Sequence, residues 1–406
     1  MRKNNNINKN SKNNKNNKEN TEENTEENKE ENKENIILNK FIATIILHAL
    51  GDTISFKNNE WYTKYGRNIV EFNIVNELLY EFIQLGGINR INLEGWHISV
   101  NTYMHMATAI VLYENKEKDV SEKFIENMKK IYLGVLSQTN EDIKNGINRG
   151  MDVHTYNVLN KYSKGEEYVC ECEKISLYDR NNSSATRMLC IGLLYFGKEK
   201  RKELINNCIK IGKIVNCSPI GYLGGLTSAL FTAFAMEKYN IEDWGHKLLE
   251  LLQGEEITVY YKNDLVMQNE YDIYVMFWKK YMELKFDKNG MVNIKSNANL
   301  IFRNKFYNDN FLWNDEGENV IGYSGVSSVI IAYDCLLDAR NNWEKLLIYS
   351  AFQIGDSNAV CSIASGWYGA CYIWGDIPNN NLNYLEYKKE IYDIAKKLYK
   401  KHKSLH

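Results

Sequence analysis

The chain has 406 residues, with 50 Lys and Arg against 52 Asp and Glu, and a formal net charge of -2. This balance excludes the strongly basic composition of many nucleic-acid-binding proteins and a strongly acidic surface. Only 2 prolines occur, whereas average usage would give roughly 20. Because proline interrupts helices, the composition favours a domain built of helices.

The first 36 residues consist almost entirely of Asn, Lys, Glu and Thr, and Met1 and Ile7 are the only apolar side chains before Ile36. Such a segment cannot bury enough apolar surface to offset the entropy lost on ordering. We therefore predict a disordered tail over residues 1–36 and one domain over 37–406. A partner-binding role for the tail is the less favoured interpretation.

Beyond the tail, apolar residues recur at intervals of three and four, the pattern of amphipathic helices. The first such run, 69–83, is followed by Gly86-Gly87, a typical helix end. Asp119 with Glu122 resembles a capping box that opens the next run, 124–136. Further helices are predicted near 101–113, 184–196, 200–215, 221–238, 243–253, 265–284, 327–338, 343–354, 357–373 and 386–402.

Evidence for other structure is sparse. The best alternating pattern, 256–261, is a short candidate strand. The stretch 284–320 is rich in Asn, Asp and Gly and predicts a long surface excursion. The predicted fold class is therefore all-α, a single compact multi-helix bundle with a disordered N-terminal tail.

The eight cysteines indicate a reducing compartment. Most lie in apolar runs, and Cys170 and Cys172 are too closely spaced for a usual zinc motif. No cationic start precedes an apolar signal segment, and the apolar run 36–50 contains Lys40 and is too short to span a bilayer. We predict a cytoplasmic protein without a membrane or nucleic-acid partner.

Common catalytic motifs such as the P-loop, G-x-S-x-G and H-E-x-x-H are absent from the sequence. Polar residues instead occur at predicted helix ends, in Gly51-Asp52-Thr53, in 96–102 and in 354–359. Small side chains after Asp356 indicate that this carboxylate lies at a crowded junction between helices. Ser99, Asn101 and Asp356 are also good helix N-caps, so capping is the simpler interpretation of the residue types alone.

Several segments, in order along the chain, resemble the ADP-ribosylhydrolase (ADP-ribosylglycohydrolase) family, and most closely its ADP-ribosylarginine hydrolases. They include Gly51-Asp52, RMLCIGL at 187–193 and FQIGDSNAVCSIASGWYGACY at 352–372. The others are 85–112, 218–235, 244–252, 329–347 and 383–399. The resemblance covers about residues 40–400 and implies a compact all-α bundle.

The resemblance also implies a chemistry. Members of this family cleave the glycosidic bond between ADP-ribose and a protein side chain at a pair of Mg²⁺ ions. The ions are held by a Ser/Thr-Asp-Asp-Thr turn and a later Gly-Asp-Ser-Asp-Ser/Thr turn. The corresponding turns here are Ser99-Val100-Asn101-Thr102 and Gly355-Asp356-Ser357-Asn358-Ala359. A degenerate metal site would therefore comprise Ser99, Asn101, Asp356 and Asn358.

This chain departs from the family at those turns. Of the four carboxylates that the family supplies, only Asp356 remains, so the ligand charge falls from -4 to -1 against two cations totalling +4. Val100 and Asn101, at the family's catalytic positions, cannot serve as general bases. Since each lost charge pair is worth several kcal/mol, at least one ion should be lost.

Other substrate-facing segments have also changed. Asn182 lies where the family has a glycine-rich loop, and Ser327 lies where it has a Gly-His-Asp turn beside ADP-ribose. These two residues are the substrate-binding candidates that the resemblance implies. The segments 216–218 and Phe56-Lys57 differ in the same way, whereas the core-forming segments match closely.

We therefore favour a monomeric, catalytically inactive relative that acts by binding ADP-ribose or an ADP-ribosylated protein, or as a structural partner. The altered loops weigh against binding of the diphosphate. The alternative is a weak Mg²⁺-dependent hydrolase that removes ADP-ribose from arginine side chains. Asp52 and Asp334 are either further site carboxylates or helix-end caps.

Overall fold

The computed structural model describes residues 10–61, 74–115, 120–168, 175–292, 299–312 and 320–405, and side chains from residue 31 onward, apart from that of residue 177. Within these ranges the chain is helical, and its only β-type pairings are the isolated bridges Asn181–Ser324 and Phe286–Val292. The predicted all-α class is confirmed. The helices are α1 Asn10–Phe56, α2 Ile74–Gln84, α3 Gly87–Arg90, α4 Val100–Glu114, α5 Glu122–Lys144, α6 Val153–Ser163, α7 Ser183–Arg187, α8 Leu189–Leu194, α9 Arg201–Gly212, α10 Pro219–Met236, α11 Trp244–Gln253, α12 Glu255–Thr258, α13 Leu265–Lys285, α14 Leu300–Phe311, α15 Gly325–Ala339, α16 Trp343–Ala351, α17 Ser357–Tyr372 and α18 Lys388–Leu405.

The start of the domain agrees with the composition of the sequence. Residues 31–36 at the surface of α1 are exposed, and continuous burial begins at Lys40. Residues 1–9 and the side chains of 10–30 lie outside the described part of the chain. Disorder of the tail and its boundary at residue 36 therefore stay predictions.

Three local predictions were wrong. The candidate strand 256–261 is helical at Glu255–Thr258 and then turns. The predicted excursion 284–320 contains α14, whose Arg303 and Asn304 are buried in the protein. The N-cap of α5 is Ser121, whose hydroxyl accepts the Phe124 amide, whereas Asp119 lies outside the described residues.

The core forms around α10, in which every residue is buried. Its residues are aliphatic, aromatic or small, and its Thr and Ser hydroxyls form no continuous polar face, so the helix must be surrounded by other helices. Phe231 lies 5.1–5.6 Å, between ring centroids, from Trp244, Trp278, Tyr333 and Trp367. Each such aromatic pair adds about 0.5–1.5 kcal/mol beyond the burial of its area.

Two helices, within Glu31–Asn59 and Pro219–Met236, combine the length and apolar composition that a membrane span requires. In this fold 78% and 100% of their apolar windows are buried among other helices. Burial of that kind is what the core helices of a helical bundle present.

Small residues allow α1 and α17 to pack closely, as predicted. A Cβ on Gly369 would lie 2.6 Å from the Ala43 backbone, and one on Gly51 would lie 2.7 Å from the carbonyl oxygen of Cys361. The close packing brings Asp52, near the end of α1, beside the beginnings of α4 and α17. The candidate turns of the sequence analysis therefore meet at one end of the bundle.

Candidate functional site

A cavity of about 280 Å³ lies where the first residues of α4, α6 and α17 converge. This arrangement points three helix N-termini toward one space. The polar lining consists of Asn59, Asn101, Asn148, Asn181, Asn182, Asn358, Asp152 and Asp356. The remaining lining residues are Phe56, Val100, Gly150, Met151, Val153, Tyr178 and Tyr323.

The first candidate turn is fixed by Asp52. The Asp52 carboxylate accepts the Ser99 hydroxyl at 2.6 Å, the Ser99 amide at 2.9 Å and the Thr102 hydroxyl at 2.6 Å. Asp52 is fully buried, and burial raises its pKa in spite of these donors. Asp52 lies inside α1, so it is not a helix cap, and it is not among the cavity-lining residues. Its oxygens instead hold Ser99, the N-cap of α4, in place.

Ser99 caps α4, which confirms the simpler interpretation of this residue. Its hydroxyl donates to Asp52 and accepts the Asn101 amide at 3.1 Å and the Asn358 side-chain amide at 3.5 Å. A hydroxyl has one proton and two lone pairs, so the bonds to Asp52 and to the Asn101 amide use the proton and one lone pair. The contact with Asn358, at the length limit of a hydrogen bond, holds the other lone pair only weakly.

The second candidate turn places Asp356 at the beginning of α17. Gly355, with φ +111°, makes the turn, and the Asp356 amide donates to the carbonyl of Ile321 at 2.8 Å. The Asn182 side-chain amide donates to the Asp356 carboxylate at 2.7 Å and to the carbonyl of Gly322 at 2.8 Å. The fold thus brings two predicted site residues, Asn182 and Asp356, into direct contact.

The pKa of the Asp356 carboxyl group is raised in this environment. Burial raises its pKa to about 6, and the negative charges of Asp152 and Asp52 act in the same direction, whereas the bond from Asn182 opposes them. A carboxyl group with this pKa is partly protonated just below neutrality.

Asp152 is the cavity carboxylate that sequence reasoning missed. It caps α6, with one oxygen accepting the Thr155 amide and the Asn181 side chain, both at 2.9 Å. The available signal was an N-cap residue after Gly150, but no helix was predicted over 153–163. As a result, the cavity has two carboxylates rather than one.

Arg149 was also missed, although it holds two walls of the cavity together. Its guanidinium binds the Glu386 carboxylate at 2.6 and 3.0 Å, Asp142 at 2.8 Å and the carbonyl of Ile98 at 2.9 Å. Its own carbonyl accepts the Val100 amide at 2.8 Å. This clasp (Arg149, Glu386 and Asp142) fixes the segment before α4 against the segment before α6.

Two residues from the sequence analysis lie elsewhere. Ser327 is buried in the first turn of α15, where its hydroxyl lies 2.8 Å from that of Ser324, the N-cap, and it is not among the cavity-lining residues. Asp334 lies in the same helix but belongs to a buried ion cluster with Lys285 and Arg303. Asp334 is therefore neither a cavity carboxylate nor a helix-end cap.

The residues present do not match a two-ion magnesium site. Mg²⁺ requires six oxygen ligands in octahedral geometry, several of them commonly carboxylates or phosphates. Here Val100 offers no ligand atom, and the Ser99 hydroxyl is held by Asp52 and by the Asn101 amide. Within the described ranges, no group of three or more His, Cys, Asp or Glu side chains is placed to hold a metal ion.

Comparisons with known proteins agree with the resemblance. The sequence model of the ADP-ribosylglycohydrolase family matches residues 33–405. The chain is 32% identical over 360 residues to "Putative ADP-ribosyl glycohydrolase L444" of Acanthamoeba polyphaga mimivirus, covering 85% of this chain and 67% of the relative. It is 29% identical over 378 residues to ADP-ribosylhydrolase ARH1 of Dictyostelium discoideum, covering 87% and 92%.

The fold is also found among solved structures. One chain of an ADP-ribosylglycohydrolase-related protein complex superposes with a TM-score of 0.52 at 12% identity, covering 90% of this chain and 99% of the other. At this identity the similarity concerns the fold alone.

Proposed function

Because this chain belongs to the ADP-ribosylglycohydrolase family, we propose that it keeps the family's scaffold as a catalytically inactive member and acts by binding. The ligand that the family relationship favours is ADP-ribose or an ADP-ribosylated protein, with the modification on arginine as in the hydrolases that it resembles most. The scaffold supports this role because its helices are packed and its cavity is formed.

The observation that carries the proposal is the state of the two turns that meet at the cavity. Val100 and Asn101 replace carboxylates in the first turn and Asn358 replaces one in the second, while Ser99 is committed to Asp52. Neither an activated water nor a general base is provided by these groups, because amides and an alkyl side chain do not accept a proton at neutral pH.

The test is release of ADP-ribose from an ADP-ribosylated arginine peptide in millimolar Mg²⁺. We expect no release above buffer, and we expect the triple variant Val100→Asp, Asn101→Asp and Asn358→Asp to gain measurable turnover. The control carries Val111→Asp, Asn115→Asp and Asn127→Asp, which change the same residue types away from the cavity, and thermal unfolding establishes that both triple variants are folded. Turnover by the unchanged protein at the rate of an intact relative would contradict the proposal.

One observation favours the alternative, a weak Mg²⁺-dependent hydrolase. Asp152 and Asp356 line the same cavity, so a single ion held by these two carboxylates is the arrangement that would support activity. Calorimetric titration with Mg²⁺ separates the two functions. Binding that disappears in Asp152→Asn and Asp356→Asn would support the alternative, and no binding at millimolar Mg²⁺ would reject it.

A further inference from the structure

The side-chain amides of Asn182 and Asn358 have carbonyl oxygens that are free to accept hydrogen bonds from a ligand. Asn182 and Asn358 are only 6% and 8% exposed, and each directs its Nδ2 group into the protein, Asn182 to Asp356 and Asn358 to Ser99. In the described part of the chain, no other group donates to their carbonyl oxygens. Both residues line the cavity and their oxygens are not sealed inside the protein, so a ligand in the cavity can donate to them.

Asn101 supplies both kinds of group. Its backbone amide bonds Ser99, but its side-chain amide makes no hydrogen bond with the described residues, although the residue lines the cavity. At the rim, Asn148 uses its oxygen for the Gly150 amide at 2.9 Å, which leaves its NH₂ group to the cavity. The cavity therefore presents neutral donors as well as neutral acceptors.

This mixture selects among ligand classes. A guanidinium or ammonium group only donates and a phosphate only accepts, whereas each hydroxyl of a sugar does both. The volume of about 280 Å³ is just below the range of about 300–1,000 Å³ for small-molecule pockets, so it suits one sugar ring. Tyr178 and Val153, which are 46% and 68% exposed, extend the lining toward solvent.

We propose that the cavity holds a ribosyl group through direct hydrogen bonds to the side-chain amides of Asn101, Asn182 and Asn358, and that binding needs no divalent metal. This inference rests on the proposed binding function and adds its ligand group and its independence of metal.

The experiment is calorimetric titration of the full-length protein with ADP-ribose, once in EDTA and once in millimolar Mg²⁺. ADP serves as the ligand that lacks the terminal ribose. We expect equal affinity for ADP-ribose in the two buffers and at least tenfold weaker binding of ADP. Asn101→Ala and Asn358→Ala should each weaken ADP-ribose binding by about tenfold, the effect of removing one or two hydrogen bonds.

The control is Asn127→Ala, on the exposed face of α5, which should bind like the unchanged protein. Thermal unfolding of each variant establishes that it is folded. Binding that requires Mg²⁺, equal binding of ADP, or no binding at millimolar ADP-ribose would overturn the inference while leaving an inactive protein in place. Turnover of an ADP-ribosylated arginine peptide would instead overturn the proposed function.

Discussion

Two regions of this molecule in which carboxylates are shielded from solvent differ in their surroundings. In the ion cluster (Lys285, Arg303, Asp334 and Asp338), two cations face two carboxylates at 2.6–2.8 Å, and all four side chains are buried. In the second region, Asp356 lines the cavity and Asp52 lies behind the first turn; both are held by hydroxyl and amide groups, and in the described residues neither forms an ion pair.

The pKa values follow this difference. Burial alone would raise the pKa of Asp334, but Lys285 and Arg303 lower it to about 2, with help from the Tyr307 hydroxyl. Burial raises the pKa of Asp356 to about 6, because no cation compensates. The ion cluster is thus a structural element in which every charge is paired, and it joins α13, α14 and α15. The cavity, in contrast, is lined by polar side chains that can form hydrogen bonds with a ligand.

The largest effect should come from breaking the ion cluster. Asp334→Asn leaves Lys285 and Arg303 with one carboxylate between them, and an uncompensated buried charge costs about 3–5 kcal/mol. Urea unfolding at pH 7 measures this loss. Asp356→Asn is the counterpart at the cavity and should change the free energy of unfolding by less than about 1 kcal/mol, since it removes a charge that burial already disfavours. Equal losses in the two variants would contradict the distinction.

The clasp at Arg149 should rank second. Arg149→Met removes a guanidinium that is 2% exposed and leaves Asp142 and Glu386 without the cation that they share, so we expect a loss of about 2–3 kcal/mol in urea unfolding. The control is Arg340→Met, which breaks the Arg340–Glu242 pair, 44% and 39% exposed, and should cost less than about 1 kcal/mol. A loss for Arg149→Met no greater than the control's would show that the clasp does not stabilise the cavity walls.

The helical fold could be predicted from the sequence because its evidence is periodic. Apolar spacing and the dearth of proline describe helices directly, and small residues after Asp356 correctly predicted the close packing of α17. The pattern failed at α14, where Arg303 and Asn304 appear polar but are buried against partners from distant segments. Burial that depends on a tertiary ion pair leaves no periodic signal.

The candidate site could be predicted only in part, for a related reason. The two turns were found because each is a contiguous motif. Asp152 and Arg149 were not found, because their roles depend on Asn181 and Glu386, which are 29 and 237 residues away in sequence. Asp52 was noticed but not interpreted, since only the fold shows that Ser99 and Thr102 occupy its oxygens.

The third prediction concerns how the free energy of unfolding depends on pH through Asp356. The pKa of Asp356 is about 6 in the folded protein against 3.8 in the unfolded chain, so between these values the folded state binds more protons. Its contribution to stability therefore increases as pH falls from 7 to 4, by about 2 kcal/mol. The difference in unfolding free energy between the unchanged protein and Asp356→Asn should grow by that amount over this window. A difference independent of pH would show that the pKa of Asp356 is the same in the folded and unfolded states.

The smallest effect tests whether uncompensated burial extends beyond the carboxylates. His48 and His105 are fully buried with ring centroids 4.2 Å apart, and neither His105 nitrogen has a hydrogen-bond partner in the described residues. Burial lowers the pKa of His105 and lowers that of His48 to about 4, against 6.5 when unfolded. The unfolded chain thus binds more protons in this window, and the pair reduces stability as pH falls from 6.5 to 4.

His105→Phe, of similar shape, should change the unfolding free energy by less than about 1 kcal/mol at pH 7.5 and should lose less stability than the unchanged protein at pH 5. Urea unfolding at the two pH values measures the difference, with His246→Phe, a partly exposed ring, as the control. Parallel losses in all three proteins would show that burial does not lower the pKa of His105.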